Sequence, residues 1–486
     1  MPRIVITPIG AAKILILSIW VLLFVLLLKR DYMVESLEIK EFQALARSNE
    51  ESFLGVYFNN DRIGYVENRF VRADSGDLLL DQKAYLLLNI LKENHAVTLS
   101  GKAVLNKDSL LKTFSFRLEA PFYSMEVAGE VHDRLITLTM NNGKQEIHDR
   151  IPLQSPPFIA TNRRAYLLSR DLEKGVKVRV PYFDPFTLSV QDTVVEYKGK
   201  EKTLVNGIVH NLHHFLESHA GIRVNSWLND QGDVVKEESP AGFVFIAEPE
   251  FRAKDIAKSS GEILSAVAVP LQGPSPELSG LQQISYRLTL PEGGEFELDG
   301  DRQTLEGDVI TLRREEIPEG GEGAGDCDDQ ERHLAATPYI QVHDPAIDRL
   351  AQSLHLEDLD PRQRLTTISQ WVFANLEKRP VMGIPDAATT LANRRGDCNE
   401  HAALFAALAR NAGLPTRIAS GVMLHKGAFY YHAWNEVCVA GSWISVDTTL
   451  NQIPADLGHI KFVEGETREQ ARIGALLGKL SIEVLK

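Results

Sequence analysis

Three residues in the last third of the chain have the side chains and the order of an acyl-transfer site. Cys398 lies in the segment RRGDCNEH, His432 lies in YHAW, and Asp447 ends the segment WISVD. A thiol can attack a carbonyl carbon, an imidazole can move the proton, and a carboxylate can orient the imidazole. Each residue alone has an ordinary interpretation: a small buried side chain, a satisfied core histidine and a turn-capping aspartate. Together they favour a Cys-His-Asp site.

The sequence after Cys398 predicts a helix that holds the thiol at its N-terminus. Residues 398–412 are apolar on nearly every helical face, which indicates burial on all sides. Asp397 supplies a capping carboxylate, and Gly413 and Pro415 end the helix. Unpaired N–H groups and the helix dipole favour an anion in the first turn. We therefore expect a lowered pKa for the Cys398 thiol.

His432 and Asp447 belong to two strand-like segments, 429–439 and 443–448, which a short Ala-Gly-Ser sequence separates. If Ala440 and Gly441 form a two-residue turn, the two side chains lie diagonally on one sheet face, about 7–8 Å apart at the backbone. A carboxylate can orient an imidazole across that distance. A slip of one residue would place them on opposite faces and destroy the arrangement.

Four motifs in this region resemble those of the transglutaminase-like superfamily, which has a papain-related fold. In order along the chain they are Arg395-Gly-Asp-Cys398 with the helix after it, Gly413-Leu-Pro-Thr-Arg417, His432-Ala-Trp434 and Trp443-Ile-Ser-Val-Asp447. A helical segment at 368–371 fits the helix that precedes these motifs in the family. The resemblance covers residues 343–462.

The resemblance implies that Cys398 is the nucleophile, His432 the base and Asp447 the residue that orients it. A peptide or isopeptide amide would form a thioester on Cys398. Water would resolve it in a cysteine peptidase, which is the preferred expectation, and a second amine would do so in a transamidase or other acyltransferase. The Cys398 N–H is a natural oxyanion donor. Arylamine acetyltransferases share the residue order, but their motif around the histidine fits less well.

The expected partner is therefore a peptide or protein substrate, and neither a cofactor nor a metal is expected. A protein of another class is the alternative, namely a non-catalytic transglutaminase-like binding or scaffold protein of the cell envelope. In either case the β-rich region could bind a cell-envelope protein. The presence of Cys398, His432 and Asp447 together favours the enzyme, because a scaffold does not need all three.

Composition limits the other function classes. The chain has 486 residues, of which 44% are hydrophobic, so it is long enough for several domains with sizeable cores. Its net charge of −14 opposes nucleic-acid binding, which needs a basic surface. Three cysteines, Cys327, Cys398 and Cys438, form no C-x-x-C pair for zinc or redox chemistry. A bridge between Cys327 and Cys438 stays open, without support from the sequence.

The first thirty residues contain an apolar segment, residues 14–28, in which Ser18 is the single polar residue. With residues 9–12 it reaches the roughly 20 residues that span a bilayer, and Lys13 can extend toward the headgroups. A cleaved signal peptide and a buried helix are the alternatives, but no small-residue cleavage site precedes Lys29. This pattern predicts an uncleaved signal anchor. The expected location is a bacterial inner membrane, single-pass, with most of the chain in the periplasm.

The predicted fold class is α+β: an N-terminal transmembrane helix, a large antiparallel β-rich region and a C-terminal papain-like, transglutaminase-like α+β domain. Alternating apolar residues and turn signals predict the strands, and an acidic, glycine-rich segment predicts a linker. The strands of 254–312 could close the first sheet or form a small sandwich module. The predicted divisions are a transmembrane anchor at 1–30, a stalk at 31–52, a β-rich domain at 53–253, a β extension or small module at 254–312, a linker at 313–337 and the transglutaminase-like domain at 338–486.

Two polar clusters resemble metal sites but lack a complete set of ligands. One is a group of histidines at positions 210, 213, 214 and 219, for which a polar sheet face is the preferred interpretation. The other is a group of aspartates at positions 326, 328 and 329, whose spacing matches no calcium loop and which reads as solvated linker.

Overall fold

A computed structural model of the chain describes residues 50–485 with internal gaps, together with Glu35–Ser36. The gaps are residues 107–109, 122, 143–145, 154–167, 169–171, 185–188, 220–221, 241, 257–262, 292–295, 319–326 and 382. Strands account for 51% and helices for 19% of the structure.

The first half of the chain forms a sheet of fifteen strands among the described residues. Its strands are β1 (Glu35–Ser36), β2 (Glu50–Phe58), β3 (Asp61–Arg72), β4 (Leu78–Ile90), β5 (Glu93–Leu105), β6 (Leu111–Ala120), β7 (Tyr123–His132), β8 (Leu135–Asn141), β9 (Glu146–Pro152), β10 (Lys177–Asp184), β11 (Ser189–Val205), β12 (Ile208–His219), β13 (Ile222–Leu228), β14 (Val234–Glu238) and β15 (Phe243–Glu248). Strands β2–β9 and β10–β15 are two antiparallel meanders, joined where β15 pairs with β2. A large antiparallel β-rich region is therefore present, as the sequence predicts.

Local sequence explains the hairpins of this sheet. Strand β7 alternates buried and exposed residues from Tyr123 to Glu130, which is the pattern of a sheet with one covered face. The turn between β2 and β3 is Asn59-Asn60, and both residues have positive φ. Asparagine tolerates that conformation, and two such residues in succession match the right-handed twist of the flanking strands.

The second half of the chain forms a sheet of nine strands and a two-stranded pair. Its strands are β16 (Val269–Gln272), β17 (Gln283–Thr289), β18 (Gln303–Glu306), β19 (Val309–Arg313), β22 (Thr416–His425), β23 (Ala428–Val439), β24 (Ser442–Val446), β25 (His459–Glu464) and β26 (Ser481–Leu485), and the pair is β20 (Glu377–Lys378) with β21 (Arg395–Gly396). Strand β16 pairs with β23, and β17 pairs with β26. The strands of region 254–312 therefore extend the sheet that carries His432 rather than the first sheet.

Helices pack mainly on this second sheet. The α-helices are α1 (Glu250–Ala253), α2 (Ile263–Val267), α3 (Gln330–Leu334), α4 (Pro345–Ser353), α5 (Pro361–Asn375), α6 (Ala387–Asn393), α7 (Cys398–Asn411) and α8 (Thr467–Gln470), and two short 3-10 helices lie at Leu356–Asp358 and Ala471–Leu476. Helix α7 is the central one: it is buried from Glu400 to Arg410 and packs against α4, α5, α6 and β23. Its apolar sequence on all faces predicts this burial.

A disulfide joins Cys327 to Cys438 across 111 residues of sequence. It ties the segment before α3 to strand β23. The sequence gives no support for this pairing, because Cys327 lies in an acidic segment and Cys438 in a strand.

Part of the predicted linker is also held to the second sheet: the Ser445 backbone N–H donates to Glu315 at 3.0 Å, and Arg302 donates to the same carboxylate at 3.2 Å.

The two halves of the molecule share a hydrophobic core. Tyr339 and Ile384 from the second half pack into the core of the first sheet, which includes Tyr123. A hydrogen bond from Asn142 to Thr389 of α6, 3.3 Å long, crosses the same boundary. The first sheet therefore lies directly against the segment that leads to α7.

The predicted membrane helix needs correction. Its residues, 1–30, lie outside the described part of the chain, and no helix within that part is long and apolar enough to cross a membrane. The longest, α5, has 15 residues, whereas about 20 are needed to span a bilayer. The predicted fold class with a transmembrane helix, and the predicted single-pass location in a bacterial inner membrane, are therefore contradicted.

Candidate active site

Cys398 is the first residue of α7, as the sequence predicts. The Asp397 side chain accepts a hydrogen bond from the Asn399 N–H at 2.9 Å, and the Glu400 side chain accepts one from the Asp397 N–H at 2.9 Å. These reciprocal bonds form a capping box, which satisfies donors at the start of the helix. The thiol is therefore held at a well-defined helix N-terminus.

The environment of the Cys398 thiol differs from the expected one. Burial and the neighbouring Asp397 carboxylate raise the pKa of Cys398 well above its ordinary value, although a hydrogen bond from the Ala433 N–H opposes the shift. The expected lowering of this pKa is therefore wrong. Burial disfavours the anion, and two further carboxylates, Glu400 and Asp447, add to the repulsion. These effects favour the neutral thiol over the thiolate.

His432 and Asp447 lie in the register that the sequence predicts. Val439 pairs with Ser442 and Asn435 with Val446, so Ala440 and Gly441 form the two-residue turn between β23 and β24. Both turn residues have positive φ, as this type of turn requires. The result is a direct hydrogen bond of 2.8 Å between His432 Nε2 and Asp447 Oδ2.

Strand β23 also brings the histidine to the thiol. Strand β23 packs along α7, and the Ala433 N–H, next to His432, lies close enough to the Cys398 sulfur to favour its anion. The Asn435 side chain, also on β23, donates at 3.1 Å to the carbonyl of Ala402, which lies one turn after Cys398 in α7. All three residues singled out in the sequence therefore belong to one site.

Asp447 is fully buried and accepts four hydrogen bonds. Oδ1 accepts from the Thr449 and Leu450 backbone N–H groups at 2.7 and 3.1 Å, and Oδ2 accepts from two histidines. Burial alone would raise the pKa of Asp447, but His432 and the other bonded donors outweigh it and hold the pKa far below its usual range. The bonded donors therefore favour the ionised carboxylate of Asp447.

The second histidine on Asp447 is His459, which is not among the site residues predicted from the sequence. Its Nε2 bonds to Asp447 Oδ2 at 3.1 Å and its Nδ1 bonds to Asp456 Oδ1 at 2.9 Å. A sequence signal does exist, since Asp456 lies three residues before His459, downstream of the WISVD motif. That spacing is too common to single out His459 without the fold of the intervening loop.

The imidazole of His432 has aromatic neighbours. The Trp434 ring stacks on it at 6.3 Å between centroids, and the His459 ring lies at 5.6 Å. Trp434 also meets His459 edge to face at 5.2 Å. These rings limit the orientations that His432 can adopt.

One group in the described part of the chain could hold a metal ion. Ligand atoms of His432, Asp447 and His459 lie within 4.8 Å of one another. The direct hydrogen bonds among them already satisfy these atoms, and the carboxylate has no free lone pair on either oxygen. We therefore assign the group to hydrogen bonding.

The histidines that suggested another metal site lie on the first sheet. His213 bonds to Tyr197 at 2.8 Å and to Asp230 at 3.0 Å, and His214 bonds to Asn225 at 2.9 Å and stacks on Trp227. These are cross-strand contacts of a polar sheet face.

Comparison with known proteins identifies the region that carries the site. Residues 348–448 match the family model of the transglutaminase-like superfamily. The chain contains a transglutaminase-like domain. The match begins in α4 and includes Cys398, His432 and Asp447, so the resemblance seen in the sequence motifs is confirmed. His459 lies beyond its end.

Three solved structures are similar to parts of the chain. A β-barrel-like protein with a domain of unknown function, from Brucella abortus, is 10% identical and covers 42% of this chain and 98% of its own, with a TM-score of 0.33. A proposed cysteine protease from Cytophaga hutchinsonii is 17% identical and covers 41% and 83%, with a TM-score of 0.25. A protein of a family of unknown function from Pseudomonas aeruginosa is 11% identical and covers 39% and 89%, with a TM-score of 0.21. No curated protein matches the chain.

Proposed function

We propose that the transglutaminase-like domain is a cysteine-dependent acyl-transfer enzyme that acts on a peptide or isopeptide amide, in the first place as a hydrolase. Cys398 is the nucleophile, His432 the general base and Asp447 the residue that orients the base. The observation that carries the proposal is the 2.8 Å bond between His432 and Asp447 beside the N-terminus of the cysteine helix.

The hydrogen bond to Asp447 determines the tautomer of His432. Asp447 is a carboxylate and can only accept, so Nε2 of a neutral His432 carries the hydrogen. Nδ1 is then the basic nitrogen that can take a proton from Cys398. A neutral thiol fits this scheme, because His432 removes the proton as the sulfur attacks.

The reaction divides into two acyl transfers. In the first, the Cys398 sulfur bonds to the carbonyl carbon while its proton passes to His432; the C–N bond then breaks and His432 returns the proton to the leaving amine. In the second, water attacks the thioester and His432 takes one of its protons; the C–S bond then breaks, and His432 returns the proton to the sulfur to give a carboxylic acid and the free thiol. A second amine in place of water would give a new amide.

The negative charge that develops on the carbonyl oxygen needs donors. Cys398 is the first helical residue, so its backbone N–H has no acceptor within the helix and points to the start of α7. The helix dipole acts in the same direction. The substrate carbonyl would therefore lie at this helix end.

A thiol-directed amide mimic tests the proposal. A peptidyl vinyl sulfone should label the wild type and leave Cys398→Ala unlabelled, and His432→Ala should label at least about 100-fold more slowly because it lacks the base. Incubating the Cys398→Ala protein with peptide mixtures would then trap bound substrates. Equal labelling of the wild type and Cys398→Ala would contradict the proposal. The remaining hypothesis would then be a non-catalytic binding protein.

A further inference from the structure

We propose that His459 is a positioning residue of this site: hydrogen-bonded on both ring nitrogens, it holds the Asp447 carboxylate that orients His432. The inference rests on the proposed function and adds a fourth and a fifth residue, His459 and Asp456, to the three already assigned. Neither one touches the reacting atoms.

The ring of His459 is buried and is hydrogen-bonded on both nitrogens. The side chain is completely buried, with Nε2 on Asp447 and Nδ1 on Asp456. Carboxylates accept and do not donate, so both ring nitrogens carry hydrogen and the ring is an imidazolium. Burial opposes this charge, but the two carboxylates outweigh it and raise the pKa of His459.

Asp456 is itself held in place. Its Oδ1 accepts from the Gly458 N–H at 2.9 Å and its Oδ2 accepts from the Gln452 side chain at 2.9 Å. Burial would raise the pKa of Asp456, but the bond and charge of His459 outweigh it and lower the pKa to about 2. The loop after Asp447 thus ends in a second carboxylate that anchors His459 from the side opposite the first.

The backbone of His459 is anchored by another part of the second sheet. The Arg302 guanidinium donates to the His459 carbonyl at 3.0 Å and to the Asp456 carbonyl at 3.0 Å. The groups that face the His459 ring are therefore Asp447 and Asp456, the His432 and Trp434 rings, and this guanidinium on its backbone. The imidazolium can neither rotate nor leave without breaking several of these contacts.

Holding Asp447 has a consequence for His432. Asp447 Oδ2 is shared between the two histidines, so the positive charge of His459 offsets part of the negative charge that His432 experiences. Without that charge, the negative charge of Asp447 would be uncompensated inside the protein. We therefore expect Cys398 to react more slowly at low pH once that charge is removed.

Iodoacetamide is a suitable probe, because Cys398 is the one thiol outside the disulfide in a chain of three cysteines. Alkylation forms the S–C bond, breaks the C–I bond and releases iodide, while His432 takes the thiol proton. The rate is measured by intact mass between pH 5 and pH 10 for the full chain. The acidic limb of the profile is the low-pH range in which the rate rises with pH, and the plateau is the constant rate above it.

Two substitutions separate positioning from packing. His459→Gln keeps an N–H donor near the position of Nε2 and loses the charge, so the acidic limb should move up by about one pH unit while the plateau stays within about threefold. His459→Phe keeps an aromatic ring but has no N–H donors. Its acidic limb should also move to higher pH, and its plateau rate of alkylation should fall at least about tenfold. His425→Gln, at an exposed histidine of the same domain, is the matched control and should follow the wild type.

The outcomes distinguish the two hypotheses. If His432→Ala alkylates with the wild-type profile, the proposed function fails and this inference fails with it. If His432→Ala is slow but His459→Gln keeps the wild-type limb, His459 is structural and this inference alone is wrong. Thermal unfolding followed by circular dichroism checks that each variant folds, and His459→Gln decides the question if His459→Phe does not.

Discussion

At the scale of single residues, Asp447 organises the site. One buried carboxylate accepts from two backbone N–H groups and two imidazoles, so each of its lone pairs has a donor. An unpaired buried charge would be strongly destabilising, whereas this one is fully bonded. The bond to Asp447 also requires a neutral His432 to carry its hydrogen on Nε2.

Asp447→Asn tests this requirement. If the asparagine oxygen accepts from Thr449 and Leu450, its NH₂ group faces His432 Nε2 and forces the hydrogen of His432 onto Nδ1. We expect labelling by the vinyl sulfone to fall by roughly 100- to 10,000-fold, because that tautomer cannot take the thiol proton. Asp358→Asn, an exposed position in the same domain, should label as the wild type does. A folded Asp447→Asn protein that labels at the wild-type rate would show that Asp447 does not set the tautomer.

The sequence predicts the parts of the site that depend on local rules. Helix α7 follows from its cap and its apolar residues, and the β23–β24 register follows from Ala440-Gly441. His459 could not be found this way, because its position depends on how the loop after Asp447 folds back. The pKa of Cys398 depends on burial by distant elements, so the helix dipole alone predicts the wrong direction.

At the scale of elements, the cap of α7 has two separate effects, one on the stability of the helix and one on the pKa of Cys398. The capping carboxylate of Asp397 stabilises the helix, and its negative charge raises the pKa of the thiol. Helix α5 has the same kind of cap at Asp360, with a capping box to Gln363. The two helices therefore offer a matched comparison of cap and charge.

Asp397→Asn keeps an equally good cap and removes the charge. We expect the pKa of Cys398 to fall, so that alkylation by iodoacetamide at pH 7 speeds up by roughly three- to tenfold while thermal stability changes little. Asp360→Asn makes the same chemical change at the other helix and should leave alkylation unaffected. A slower reaction in Asp397→Asn would mean that this carboxylate holds the thiol in position rather than raising its pKa.

At the scale of the whole molecule, long-range pairings are what the sequence could not predict. Strand β15 returns to pair with β2, and β16–β19 join the second sheet through β23 and β26. Each pairing is made between segments that are far apart in sequence, whereas the hairpins follow from adjacent turn signals. The Cys327–Cys438 disulfide belongs to the same class of contact.

The disulfide closes a loop that contains both Cys398 and His432, and it is anchored on the strand of His432. Replacing both of its cysteines, Cys327→Ser with Cys438→Ser, should lower the free energy of unfolding by about 2–5 kcal/mol, because the unfolded chain gains the freedom that the cross-link removed. Urea unfolding followed by tryptophan fluorescence measures this change. Reductant should destabilise the wild type to a similar degree and leave the double variant unchanged. If the oxidised wild type, unfolded without reductant, alkylates at three thiols instead of one, the cross-link is absent and this prediction fails.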